Sequence, residues 1–398
     1  MHSKVPLILL LVSILPLNVC GLHLTSPTEF SDELRVIKLD KNQYEMVSEN
    51  KKLEYKRKNI PFLDVTNHVD ENEYDLFNTG KQGSQFAFAM KESSTESSPV
   101  PVYPKQLSLQ STISPILKEV SIPNLRQSLE TFSSFHTRYY KSDTGVESAQ
   151  WLYDQISDII SESPQVSVTK FDHKKWKQFS IIVTIPGKKE GKIIVGSHQD
   201  SINLILPSVM SAPGADDDGS GTVLCLEALR LVIQLYNAGK FTPQNTLEFH
   251  FYSAEEGGCL GSLDIFSSYK ENGEQVLAML QHDVSGSTYK AQNEGYEPHM
   301  GLITDGTTQE LTDFLKVVID SYCDIPYHET QCGYGCSDHS SAAEFGFPSS
   351  CAAEGEFKLT NEYIHSFKDT IDKIDFDHLK EHVKLVLGYA IELASYGF

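Results

Sequence analysis

Acidic residues and histidines recur in this chain in short clusters whose types suit metal-assisted hydrolysis. His198 and Asp200 are one residue apart, Asp216, Asp217 and Asp218 are consecutive, Glu255 adjoins Glu256, and Asp283 and His365 stand singly. Imidazole and carboxylate both ligate Zn(II), and two ions held a few ångströms apart need a carboxylate that offers an oxygen to each. Water held between two such cations loses a proton near neutral pH. An adjacent carboxylate that binds no metal can take that proton and pass it to a leaving amine. The His-x-Asp spacing lets Asp200 engage the ring nitrogen opposite the metal and fix the tautomer of His198. Single strand-end carboxylates are commonly caps or solvated charges. The aspartate triplet, followed by Gly219-Ser220-Gly221, would also complement a helix dipole. The metal reading rests on how many such positions the chain supplies together.

To meet, these residues need a scaffold. Phe179–Pro186 and Lys192–His198 are short runs rich in Ile and Val, bounded by Gly, Pro and Lys, and read as buried strands. Gly219–Tyr236 is apolar almost all round for five helical turns, Thr246–Glu256 returns to strand, and Val276–Asp283 reads as another. Apolar residues at three- and four-residue steps predict helices over Thr308–Tyr322 and His378–Tyr396. Strands alternating with helices indicate an α/β fold with a mostly parallel central sheet flanked by helices. In such open sheets the ligand crevice forms at the carboxyl ends of the strands, where most of the clusters fall.

The rest of the composition narrows the function. Of 398 residues 40% are hydrophobic, enough for a large core, and 33 Lys plus Arg against 54 Asp plus Glu give a net charge of -21. That charge repels phosphate backbones and anionic headgroups, so nucleic acid and membranes are not expected partners. Lys4 precedes an apolar run from Val5 to Val19, with small residues at Cys20 and Gly21. This is the layout of a secretory signal peptide over residues 1–21, too short for a spanning helix. Residues 22–100 are charged and weakly periodic and end in a Ser- and Pro-rich linker, Lys91–Lys105. They read as a removable propeptide, cut between about Glu92 and Lys105, ahead of a catalytic domain over 101–398. In an oxidising compartment the close pair Cys332 and Cys336 is expected to bridge, while Cys225, Cys259 and Cys351 sit in apolar sequence that suits buried thiols.

Six motifs, GSHQDS, APGADDDGSG, YSAEEGGCLGS, LQHDVSG, CGYGCSDHSS and YIHSFKDT, occur in the order and approximate spacing of the secreted leucine aminopeptidases of fungi and bacteria, which the chain resembles from about Ser111 to Phe398. The resemblance implies two zinc ions per chain. Asp217 would bridge them, with His198 and Asp283 completing one site, Glu256 and His365 the other, and Glu255 as general base. It also implies that Tyr334, between Cys332 and Cys336, steadies the oxyanion of the tetrahedral intermediate. Val284, Phe357 and Ile364 would shape an apolar pocket for the substrate's first side chain. Asp338 and His339 match no ligand and are assigned to structure. Ala353 and Thr360 stand where bacterial relatives carry bulkier aromatics, which leaves the preferred side chain open.

The expected protein is therefore a secreted, monomeric exopeptidase that cleaves next to the free N-terminus of peptides with apolar first residues. A zinc carboxypeptidase would need a basic clamp for a terminal carboxylate, and no Arg accompanies the six motifs. A glutaminyl cyclase would use one metal, and a receptor module on the same fold would have lost ligands.

Overall fold

The computed structural model describes residues 33–69 and 100–398. Strands β1 (Leu34–Asp40), β2 (Gln43–Ser48) and β3 (Leu63–Asp64) form a small sheet in the order β2-β1-β3, with helix α1 (Glu49–Arg57) between β2 and β3. Ser48 caps α1 by accepting from the amide of Lys51. Thus part of the charged, weakly periodic stretch is folded. Burial of a few apolar residues, among them Val36, Ile37, Val47, Phe62 and Leu63, is supplemented by charge. The buried Asp64 carboxylate is held by Arg35 at 2.9 Å and by Lys52 at 2.6 Å, and Lys52 also faces Glu49. Lys and Arg scattered through this segment hide its core from a search for hydrophobic periodicity.

In the body, β4 (Ser167–Phe171), β5 (Ser180–Ile185), β6 (Lys189–His198), β7 (Asn245–Tyr252), β8 (Val276–His282), β9 (Met300–Ile303), β10 (Tyr327–Thr330) and β11 (Ser349–Ala353) build one sheet ordered β10-β9-β11-β8-β6-β7-β5-β4. Its middle, β11-β8-β6-β7, is parallel; β5 and β4 add antiparallel strands at one edge, and β9 runs antiparallel to β11. The predicted strands and helices appear within a few residues of their expected limits. Helices α2 (Gln110–Leu117), α3 (Ile122–Phe132), α4 (Asp143–Ile160), α5 (Gly219–Asn237), α6 (Leu260–Glu271), α7 (Tyr289–Asn293), α8 (Gln309–Tyr322), α9 (His339–Glu344) and α10 (Phe376–Ser395) complete the body. Buried apolar residues of α5, α8 and α10 join those of β5, β6 and β7 in the main core, as α/β layering requires.

The signal-peptide stretch and residues 22–32 and 70–99 of the expected propeptide and linker lie outside the described residues. The last part of the expected linker is not loose: Tyr103 is buried in the main core and its hydroxyl donates to the Leu277 carbonyl at 2.7 Å. Chain anchored in this way belongs to the body. Among the described residues no helix is long and apolar enough to cross a membrane.

Candidate active site

The carboxyl ends of β6, β7 and β8 deliver the candidate residues. β6 ends at His198, β7 is followed by a 3-10 turn at Glu255–Gly257, and β8 stops one residue before Asp283. Asp217 lies just ahead of α5, and His365 comes from the loop before α10. Backbone in the left-handed region, unusual for residues with a side chain, marks this neighbourhood: φ is +60° at Ala254, +57° at Cys259, +52° at Val284 and +59° at His365. Such strain persists only where surrounding packing imposes it, and it accumulates at functional sites.

Two triads share one carboxylate. Asp217 Oδ1 lies 3.1 Å from His198 Nε2, which is 3.5 Å from Asp283 Oδ1. Asp217 Oδ2 lies 2.9 Å from His365 Nε2, which is 3.3 Å from Glu256 Oε2. The ligand atoms of each triad, His198, Asp217 and Asp283 or Asp217, Glu256 and His365, gather within 4.8 Å of one another. His198 Nε2 and Glu256 Oε1 are buried without a hydrogen-bond partner. Orphaned polar atoms in an otherwise paired interior call for an ion or other partner, and the oxygen and nitrogen donor set suits zinc.

The local electrostatics agree with that fit. Burial pushes the His365 imidazole down, yet Glu256 and Asp217 together hold it up at about 10. Burial likewise works against the charged form of Asp217, but the two histidines keep its carboxyl well below the usual range. Carboxylates this crowded want positive charge. Glu255 is different: burial pushes its carboxyl up to about 7 against the pull of Lys56 and His198, which is the range a general base needs.

The neighbouring acids have structural work. Asp200 accepts the amides of Glu255 at 3.0 Å and Glu256 at 3.2 Å, fixing the turn that carries both, and its Oδ1 stands 3.5 Å from His198 Nδ1. Asp218 accepts from the amides of His198 and Val284, and Asp216 from that of Gly286 and the side chain of Asn361. Asp369 accepts from the amides of Asp216 and Asp217. Only the middle aspartate of the triplet faces both histidines. Asp338, expected to be structural, is buried and accepts from Ser262 Oγ and Gln281 Nε2.

A pocket of about 140 Å³ opens beside the triads, lined by Val284, Ile303, Cys351, Ala353, Phe357, Thr360 and Ile364 together with Asp217, Glu255, Asp283 and His365. All three expected pocket residues are in it, and so are Cys332 and Cys336, which form a disulfide. Tyr334, the expected oxyanion donor, is not among the residues that line the pocket; its hydroxyl donates to Glu344 at 2.8 Å, and the Lys38 ammonium lies 5.6 Å from its ring centre. The loop points this side chain at a carboxylate of α9.

Sequence reasoning missed the other wall of the pocket: Lys56, Asn59, Ile60, Pro61 and Phe62, from the end of α1 and the strand-ward loop, close over the site. The Lys56 ammonium sits 2.6 Å from Glu256 Oε2 and 3.5 Å from Glu255 Oε2. Arg57 donates to the Leu204 carbonyl, Lys38 pairs with Glu344 at 2.5 Å, and the Asp64 amide donates to the Gly258 carbonyl at 2.9 Å. One lysine among several in α1 carries no signal of its own; only docking reveals its partner.

Comparison with known proteins follows the same lines. The pattern of Peptidase family M28 matches residues 180–390. The chain is 48% identical over 371 residues to a Saccharomyces cerevisiae protein named as a probable aminopeptidase, covering 92% of this chain and 94% of the other. It is 45% identical to leucine aminopeptidase 1 of Emericella nidulans, covering 91% and 89%. Among solved structures, the LapA aminopeptidase of Legionella pneumophila superposes with a TM-score of 0.75 at 27% identity, covering 92% of this chain and 95% of the other.

Proposed function

Because this chain belongs to peptidase family M28, we propose that it is a two-zinc aminopeptidase that removes apolar residues, leucine foremost, from the free N-terminus of peptides. The observation that carries this reading is the shared carboxylate: Asp217 turns one oxygen to His198 and the other to His365. His198 and Asp283 would hold one ion and Glu256 and His365 the other, with Asp217 common to both. Bound there, the ions would supply Lewis acidity and an acidified water. Glu255 is positioned by the Asp200 bond to its amide, and its raised proton affinity suits it to take a proton near neutral pH and give it to the leaving amine. Val284, Phe357 and Ile364 form an apolar receptacle for the first side chain. The names of the fungal relatives favour leucine.

Secretion behind a signal peptide and action as a monomer belong to the same reading. So does synthesis as a precursor: residues 33–69 lie over the site, and Lys56 engages both glutamates that the reaction needs. Removal of the segment by a cut ahead of Tyr103 would free the pocket.

The test compares aminoacyl amides with their N-acetylated counterparts, using protein from which residues preceding about 100 have been removed. Leucine amide should be hydrolysed and acetyl-leucine amide should not. Equal hydrolysis of both would remove the free amine from the specificity and end the aminopeptidase reading.

A further inference from the structure

Away from the paired triads, His299, His328 and Glu356 bring three further metal-ligand side chains together, with one ligand atom from each lying within 4.8 Å of the others. His299 immediately precedes β9, His328 lies on the neighbouring β10, and Glu356 follows β11. The parallel pairing of β10 with β9 sets His328 opposite Gly301 and so brings the two histidines side by side, their rings stacked with centres 4.0 Å apart. None of the three lines the substrate pocket.

The hydrogen bonds prepare nitrogen and oxygen atoms for a cation. His299 is buried, and its Nδ1 lies 2.8 Å from the Glu297 carbonyl, a contact only an N–H can make. That assigns the proton to Nδ1 and leaves Nε2 with its lone pair, the arrangement by which a backbone carbonyl orients a metal-binding imidazole. Among the described residues Nε2 accepts one hydrogen bond, a long one of 3.3 Å from the Glu356 amide. Glu356 Oε2 stands 3.3 Å from His328 Nδ1 and 3.8 Å from His299 Nε2, while Lys358 occupies the other carboxylate oxygen at 3.2 Å. His328 is half exposed, so an ion can enter from solvent and the ring can turn toward it.

We propose that His299, His328 and Glu356 form a third metal site, separate from the paired centre, that takes a divalent transition ion such as zinc. Two imidazoles and one carboxylate favour Zn(II), Ni(II) or Cu(II) over Mg(II) or Ca(II), which prefer oxygen alone. The site ties the substrate pocket to the sheet edge. Phe357, a pocket residue, follows Glu356 directly and donates its amide to Thr330 Oγ1 at 2.9 Å, on the same strand as His328. An ion shared by Glu356 and His328 clamps that turn to β10.

The experiment counts zinc by elemental analysis after equilibrium dialysis of wild type, His328→Ala and Glu356→Gln at equal free zinc. Both substitutions fall on accessible side chains outside the catalytic machinery. The expected result is the loss of one ion per chain in each variant, with activity at limiting zinc unchanged. The difference from wild type is independent of how many ions the catalytic centre holds, so it stands or falls apart from the two-zinc reading. Asp217→Asn should keep the His328-dependent ion. Equal zinc content in wild type and His328→Ala would overturn the proposal, and so would an ion that survives Glu356→Gln.

Discussion

If residues 33–69 restrain the enzyme, the contact most worth removing is Lys56. Its side chain is 13% exposed and Glu256 is 1% exposed, so the 2.6 Å pair is shielded from solvent and salt. A hydrogen bond to a charged group under such conditions contributes roughly 1.5–3 kcal/mol. Taking about 2 kcal/mol, Lys56→Ala should enlarge the population with the site uncovered by roughly 30-fold. The remaining anchors, Lys38 to Glu344, Arg57 to Leu204 and Asp64 to Gly258, still hold the segment, so activity should rise without reaching that of the cleaved enzyme. The assay is hydrolysis of leucine amide below saturation by uncut protein, with mass spectrometry confirming that the chain is intact. Lys51→Ala is the control, because Lys51 lies on the same helix but pairs at the surface with Glu54. Uncut Lys56→Ala that hydrolyses no faster than uncut wild type, while the cleaved enzyme is much faster, would show that the lysine is not the restraint. Equal activity of cut and uncut wild type would dismiss the precursor reading itself.

Three further outcomes are expected. Glu255→Gln should keep its metal content and lose at least about 100-fold in turnover, whereas retained turnover with full metal would remove Glu255 as the base. Asp217→Asn should lose at least one zinc on dialysis, since in the proposed centre its charge would offset both neighbouring cations; elemental analysis decides this, and two ions retained would refute the bridge. Glu248 links stability to pH: burial pushes its carboxyl up, but His250 and Lys192 outweigh that and hold it at about 2, against an ordinary 4.5. Burial lowers the His250 imidazole, and the Lys192 ammonium lies 2.6 Å from the same carboxylate. A depressed carboxyl stabilises the fold above its unfolded value and loses that contribution as pH falls toward its folded one. About 3 kcal/mol should therefore disappear between pH 4.5 and 2, and denaturant titrations of Glu248→Gln should show a flatter decline over that window. An equally steep decline would locate the acid sensitivity elsewhere.

Much of the body was legible because its signals are local. Ile- and Val-rich runs and a helix apolar almost all round can be read residue by residue, and β5 to β8 and α5 lie close to where those patterns put them. The candidate ligand residues were legible because metal chemistry restricts residue type and the sheet restricts position: His198 ends a strand, and Glu256 and Asp283 follow strand ends. Residue type and spacing alone did not separate the members of the aspartate triplet; only the family resemblance pointed to Asp217. The fold separates them, by turning Asp216 and Asp218 to backbone amides and leaving Asp217 between two histidines.

Tertiary structure also decided partners that local sequence leaves open. Residues 33–69 are charged and only weakly periodic, yet the Asp64, Arg35 and Lys52 cluster supplements apolar burial with paired charge, a contact between positions up to 29 residues apart. Tyr334, given a catalytic role by the resemblance, donates its hydroxyl to Glu344, ten residues away. Lys56 meets Glu256 across 200 positions. Residue types and short spacings record what a side chain is able to do; which partner it meets depends on long-range packing, where a few kcal/mol of burial and charge pairing choose among many chemically equivalent neighbours.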